Sequence, residues 1–317
     1  MSIGSCSKDE VIFINEVPVT VPSSVYMAIL GDIQYTTNAS HIEVYRGTLD
    51  WIDKKVQEGW NFKCIVQTGD ITQNNDLSQW KCFLTATAPI ACKIPYFSMI
   101  GDHDYTWEDG IHITDRNSTH FNDYIRFQMS LNKVVARFEE KKMENIVVEN
   151  TIYGQRWDLL ILEFGPRKEV VEWANDYVKD HPNHNFILLN HEYLEKGGGR
   201  RVSDLKCHRL LNTSYVEPNE LWNDLIKCND NIRLVLCGHV DGLYALTVDT
   251  NDFGRAVPQI QHNIQSPEYR YDNWVMLWDF PVDKDSVNVS IYNTKTEKCY
   301  NNQEILFKFR YRDGGDN

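Results

Sequence analysis

Five short clusters in this chain carry residue types that hold metal ions: Asp32-Ile33-Gln34, Gly69-Asp70, Gly101-Asp102-His103-Asp104, Asn190-His191-Glu192 and Gly238-His239-Val240-Asp241. Carboxylate oxygens and imidazole nitrogens are the usual protein ligands of divalent cations. Each cluster alone is a weak signal. An Asp after Gly is most often a turn or a helix cap, and a His after Asn or Gly is most often a hydrogen-bonded core residue. Their placement gives them weight. Every one directly follows an apolar run, and in open α/β sheets ligands bind where such strands end.

Those runs are Val25–Leu30, 62–68, 94–100, 185–190 and 232–237, nearly continuous in apolar residues and so predicted as strands buried on both faces. Helical spacing puts Ile42, Tyr45, Leu49, Ile52 and Val56 near one face over 40–58. A second helix is predicted over 76–87. Alternation of this kind is βαβαβ and implies a parallel sheet. Further on, the pattern predicts a polar loop over 105–118, helices at 120–129, 168–179 and 220–228, and a hairpin turning at Tyr153-Gly154. A flexible loop holds Gly197-Gly198-Gly199-Arg200-Arg201. The runs 243–249, 256–263, 274–280, 286–292 and 305–311 read as antiparallel strands of a second sheet. No Pro- or Ser-rich linker separates the halves. The organisation is therefore one α/β domain over 25–312, with two facing sheets, helices outside, and tails at 1–24 and 313–317.

Lys and Arg number 32 against 45 Asp and Glu, a formal net charge of −13. Such a surface repels nucleic acid and anionic lipid. No apolar run approaches the ~18 residues of a transmembrane helix. None of the 8 cysteines forms a Cys-x-x-Cys pair, which excludes a zinc ribbon. Cys64 and Cys237 fall in strand patterns as buried thiols, while Cys82 with Cys92, or Cys207 with Cys228, could pair in an exported protein. Ile3-Gly4-Ser5-Cys6 has the form of a lipoprotein processing site, with an acidic tether behind it. On that reading the start lies upstream of Met1, Cys6 carries a lipid anchor, and the protein is secreted or held in the cell envelope. The other reading is a cytoplasmic protein with a chance cysteine in its tail.

Taken in order, the clusters resemble the calcineurin-like metallophosphoesterases, whose run is D-x-H, G-D, G-N-H-[DE], H and G-H-x-H. The resemblance covers nearly the whole chain. It implies a four-layer α/β/β/α sandwich and hydrolysis of a small phosphomonoester or phosphodiester by water held between two divalent cations. Carried over, it places Asp32, Gln34, Asp70 and Asp241 around one ion. Asp70 bridges to a second, held also by Asp102, His191 and His239. His103 becomes the acid for the leaving oxygen and Asp104 the residue that orients it. Three positions depart from the pattern: Gln34 and Asp241 stand where the family has His, and Asp102 where it has Asn. The added oxygen ligands favour Mn, Mg or Fe over Zn, and the first ion is expected to bind weakly. Beyond the metals, Tyr105 and Trp107 are candidates to stack on a substrate, and Arg200 and Arg201 to reach its phosphate. Asn74, Asn75, Asn263 and Gln265 are weaker candidates. The rival reading is a phosphate-binding module on the same fold with little or no catalysis.

Overall fold

The computed structural model describes residues 24–105, 107–108, 111–112, 116–131, 133–202, 215–281 and 287–299. Its first sheet has six strands in the order β16-β15-β14-β1-β2-β3. These are β1 (Val25–Leu30), β2 (Asn61–Gln67), β3 (Tyr96–Ser98), β14 (Trp274–Phe280), β15 (Asn288–Asn293) and β16 (Lys298–Cys299). The second sheet runs β12-β13-β11-β10-β9-β7-β6, with β8 (Thr151–Ile152) also on β9. Its members are β6 (Val134–Arg137), β7 (Ile146–Val148), β9 (Gln155–Ile161), β10 (Asn185–Leu189), β11 (Ile232–Cys237), β12 (Tyr244–Thr250) and β13 (Ala256–His262). Parallel pairs join β1 to β2, β2 to β3, β9 to β10 and β10 to β11.

Side chains alternate across a strand, and that alternation shows the layering. Ile187 and Leu189 of β10 and Leu234 and Leu236 of β11 join the core shared with the first sheet. Their neighbours Phe186, Leu188 and Val235 face the other way. There they pack with Val170, Val171 and Ala174 of α4 (Lys168–Asp180) and Leu221 of the short helix α5 (Pro218–Leu221). Outside the first sheet lie α1 (Ile42–Gln57) and α2 (Leu77–Ala91), which bury Ile42, Tyr45, Leu49 and Ile52, and Trp80 and Phe83. The result is helices, sheet, sheet, helices.

Several elements differ from the pattern-based expectation. The strands after residue 243 do not form a sheet of their own. β12 and β13 extend the β9–β11 sheet, whereas β14 pairs antiparallel with β1 and carries β15 beside it. The reason lies in β14: Trp274–Trp278 is buried at every position. A strand that apolar needs cover on both faces, and the flank of β1 supplies it. The third strand is only Tyr96–Ser98. The loop after it contains a two-stranded ribbon, β4 (Trp107–Glu108) with β5 (Ile111–His112). The predicted helix over 220–228 is α5 continued by a π-helical turn, Trp222–Ile226. β6 was not anticipated, and the run 305–311 lies outside the described residues, as do both predicted tails apart from Ser24. Cys82, Cys92 and Cys228 are unbonded thiols. No helix among the described residues is long and apolar enough to cross a membrane.

Candidate metal centre

The five clusters converge, but from two sheets rather than one. β1, β2 and β3 of the first sheet deliver Asp32, Asp70 and Asp102, while β10 and β11 of the second deliver His191 and His239. Direct bonds stitch the two groups of strand tips together. His191 Nδ1 lies 2.6 Å from the Thr68 carbonyl, and the His239 amide donates to Asp32 Oδ2 at 2.8 Å.

Local backbone explains how the side chains reach inward. Asp70 has φ 48° and His239 has φ 70°, left-handed conformations that are uncommon outside glycine. His239 is the centre of a tight turn in which the Val240 amide bonds the Gly238 carbonyl at 2.9 Å, a strained geometry. Gly101 is set by close approach. A Cβ there would lie 2.2 Å from Asp70 Oδ1 and 2.3 Å from the Asp70 nitrogen. Gly69 needs its missing side chain twice over: it has φ 99°, and a Cβ would meet His191 Nδ1 at 2.4 Å. The repeated Gly-Asp motif is thus a packing requirement at the point where strand tips meet.

One ligand atom from each of Asp70, Asp102, His191 and His239 lies within 4.8 Å of the others. His191 is fully buried, and its Nδ1 can only donate to a carbonyl, so Nδ1 carries a proton and Nε2 points inward. Nε2 is 3.2 Å from Asp70 Oδ1 and 3.3 Å from Asp102 Oδ1, yet has no hydrogen-bond partner. His239 Nδ1 lies 3.0 Å from Asp102 Oδ1. Phe164 walls this group, its ring 6.0 Å from His191 and 5.7 Å from His239. Behind His239, Glu192 Oε1 is 3.6 Å from Nε2 and is clamped by Arg201 Nε at 2.6 Å.

The electrostatics call for positive charge here. Burial alone would lower the pKa of His191, but Asp70 and Asp32 outweigh it and hold the imidazole well above its ordinary range. Burial works against His239 too, and Asp102 and Glu192 raise it. Burial, with Asp70 nearby, pushes the Asp32 carboxyl up to about 7 despite the opposing pull of His191. Two oxygens and two nitrogens around one small volume are what a divalent cation takes, so these four residues fit one.

Other expected site residues fall elsewhere. Asp32 is buried beside the group, and its carboxylate accepts from Thr68 Oγ1, the His239 amide and Asn263 Nδ2. Gln34 is also buried, and its Nε2 donates to Asp70 Oδ2 at 2.9 Å and to Gln265 Oε1. Asp241 is exposed, because the tight turn at His239 sends the chain outward, and it stands apart from the four-residue group. His103 is partly buried on a single 3-10 turn, its Nδ1 donating to the Gln73 carbonyl at 2.8 Å. Asp104 ties loops together: it accepts from the amides of Gly101, Ile71 and Thr72 and from Thr72 Oγ1. Its burial beside Asp70 pushes its pKa up to about 7. The ring of His103 is oriented by Gln73, a contact that spacing along the chain does not suggest.

Tyr105 is 1% exposed and packs in the core, which leaves no ring face for a ligand. The side chain of Trp107 lies outside the described residues. Arg200 is held by Asp249, Gln259 and Asn219 and stacks over Trp222, so it is a structural arginine. Arg201 reaches the centre through Glu192. Sequence reasoning placed Glu192 in the His191 cluster but gave it no role, and it missed Arg270. The Arg270 guanidinium carbon lies 3.8 Å from the centroid of Tyr35, next to Gln34, and its Nε donates to the Gln265 carbonyl at 2.7 Å.

Comparison with known proteins agrees with the order of the motifs. The family model for the calcineurin-like phosphoesterase domain matches residues 26–241, more than half of the chain, and the chain belongs to that family. It is 26% identical over 297 residues to the uncharacterized protein YvnB of Bacillus subtilis (strain 168), covering 90% of this chain and 21% of that one. It is 24% identical over 191 residues to a probable cyclic nucleotide phosphodiesterase of Moraxella catarrhalis (strain BBH18), covering 56% and 58%. The chain therefore spans about a fifth and just over half of these curated relatives. Among solved structures, a 5'-nucleotidase from Candida albicans SC5314 superposes with a TM-score of 0.47 at 11% identity, covering 86% of this chain and 52% of that one. The thiohydrolase SoxB of Thermus thermophilus gives 0.43 at 12%, covering 83% and 44%.

Proposed function

We propose that this chain is a metal-dependent hydrolase of small phosphate esters. The observation that carries the reading is Nε2 of His191: fully buried, in no aligned hydrogen bond, and within 3.3 Å of the carboxylates of both Asp70 and Asp102. Asp70, Asp102, His191 and His239 would hold the cation, and this mixed oxygen and nitrogen set suits Mn or Fe. Such an ion, when bound, polarises a phosphoryl oxygen and lowers the pKa of water beside it.

The chain's own residues supply the rest. Thr68 fixes the tautomer of His191, and Glu192, clamped by Arg201, lies against the outer nitrogen of His239. Outer partners of this kind hold ligand rings in place and raise their basicity. His103, steered by the Gln73 carbonyl, is the proton donor to the leaving oxygen. Arg270 offers a charge to a phosphate oxygen at the rim, on the side of Gln34. A phosphodiester is the first substrate class to test, because one relative is named a probable cyclic nucleotide phosphodiesterase. The acidic surface argues against a nucleic acid polymer.

Turnover of bis-p-nitrophenyl phosphate and p-nitrophenyl phosphate with added Mn or Fe(II) tests the reading. Activity lost on chelation and in Asp70→Ala and His191→Ala supports it. No turnover of either ester with any divalent ion overturns it in favour of a phosphate-binding module.

A further inference from the structure

We infer that this centre takes one divalent cation per chain rather than two, with the carboxamide NH2 of Gln34 set against Asp70 where a second cation would otherwise sit. The inference rests on the metal-dependent reading above and concerns only the number of ions.

Hydrogen bonding fixes the direction of the Gln34 amide. The His239 carbonyl can only accept, so Gln265 presents Nε2 to it and turns Oε1 the other way. Gln265 Oε1 therefore faces Gln34 as an acceptor, and so does Asp70 Oδ2. An amide between two acceptors must present its NH2. Turning its oxygen toward a cation would set that oxygen against both and break the run from His239 through Gln265 to Gln34.

Asp32 is also committed. Its Oδ2 accepts from both the His239 amide and Asn263 Nδ2, and Oδ1 accepts from Thr68 Oγ1. A carboxylate oxygen has about two lone-pair sites, so Oδ2 is full. Oδ1 packs closely against Gly238, where an added Cβ would lie 2.2 Å from it. Asp241 is exposed and apart. Among the described residues, the open acceptors on this side include Gln34 Oε1 and the second lone-pair site of Asp32 Oδ1. These two oxygens fall short of the three or so protein ligands that catalytic metal sites carry. Donors from Gln34, Asn263, Thr68 and a main-chain amide thus occupy the Asp32 and Asp70 oxygens that a second ion would need.

The test is ion stoichiometry. The full chain is stripped with a chelator, reloaded with Mn(II) alone, and assayed by mass spectrometry and titration calorimetry. One ion per chain is expected, with the electron paramagnetic resonance spectrum of an isolated Mn(II). Gln34→Ala should still bind one ion, with affinity lowered by about 10–100-fold, as for a residue bonded to a ligand but outside the ligand set. Two ions in the wild type, an exchange-coupled pair in its spectrum, or a fall from two to one in Gln34→Ala overturns this inference and leaves the hydrolase reading intact. No binding at all overturns both. The wild-type spectrum decides the matter even if the variant does not fold.

Discussion

The polar centre has two flanks made from the same strand tips, and they differ in how they neutralise buried charge. Around Asp102, His191 and His239 the side chains leave an inward imidazole nitrogen with no aligned hydrogen bond and two carboxylates within 3.3 Å of it. Around Asp32 and Gln34 the carboxylate is enclosed by hydroxyl, amide and main-chain donors. Asp70 stands between, meeting His191 through Oδ1 and Gln34 through Oδ2. Buried charge must be paired or hydrogen-bonded, and the two flanks meet that demand by different routes. The first is built for an ion. The second is built from the protein's own N–H and O–H groups.

The largest effect should separate the flanks directly. Asp102→Ala and His191→Ala are expected to weaken Mn(II) binding by more than about 100-fold, since even residues behind a ligand cost 10–100-fold. Asp32→Ala should weaken it by about 10-fold or less. Equal losses from both flanks, measured by calorimetry, would erase the distinction.

Acidification gives the next effect. A bound ion needs both imidazoles neutral, and the carboxylates hold His191 and His239 above the ordinary histidine value in the metal-free protein. Below those raised values each ion displaces two protons, so affinity falls as pH falls, by up to about 100-fold per pH unit. Above them it levels off. Calorimetry in buffers of different ionisation enthalpy counts the protons released, and a count near zero at pH 6 would contradict the arrangement.

Gly101→Ala tests the packing that both flanks share. The added Cβ overlaps Asp70, so a loss of about 1–3 kcal/mol in unfolding free energy is expected, with weakened metal binding. Urea denaturation with and without Mn(II) reads both. The smallest effect should come from Asn263→Ala, which removes one of the donors to Asp32 and should cost about 1 kcal/mol of stability with little change in ion affinity.

How much of this was legible in the chain varies with the range of the interaction. The strand runs and the helical face of α1 are local patterns, and each polar cluster follows its strand within a few residues. Family membership is legible in the same way, since it depends on the order of those clusters. Tyr105 and Arg200 show the limit. Each has the right chemistry beside a glycine-bearing loop, but tertiary packing buries one in the core and ties the other to Asp249 and Gln259. Arg270 shows the converse, because its nearness to the centre is made by folding.

Sequence by itself determined the residue types, their order, and the strand ends that carry them, because an apolar run followed by Gly and a polar residue is complete within a handful of positions. Tertiary structure alone decided that the tips come from two facing sheets, that Asp241 leaves the centre, and which end of the Gln34 amide faces Asp70. Those outcomes depend on contacts such as the bond from the His239 amide to Asp32, made across 207 positions of chain. No local pattern encodes a pairing at that range. It follows from how the two sheets pack and from where two strained turns, at Asp70 and His239, aim their side chains.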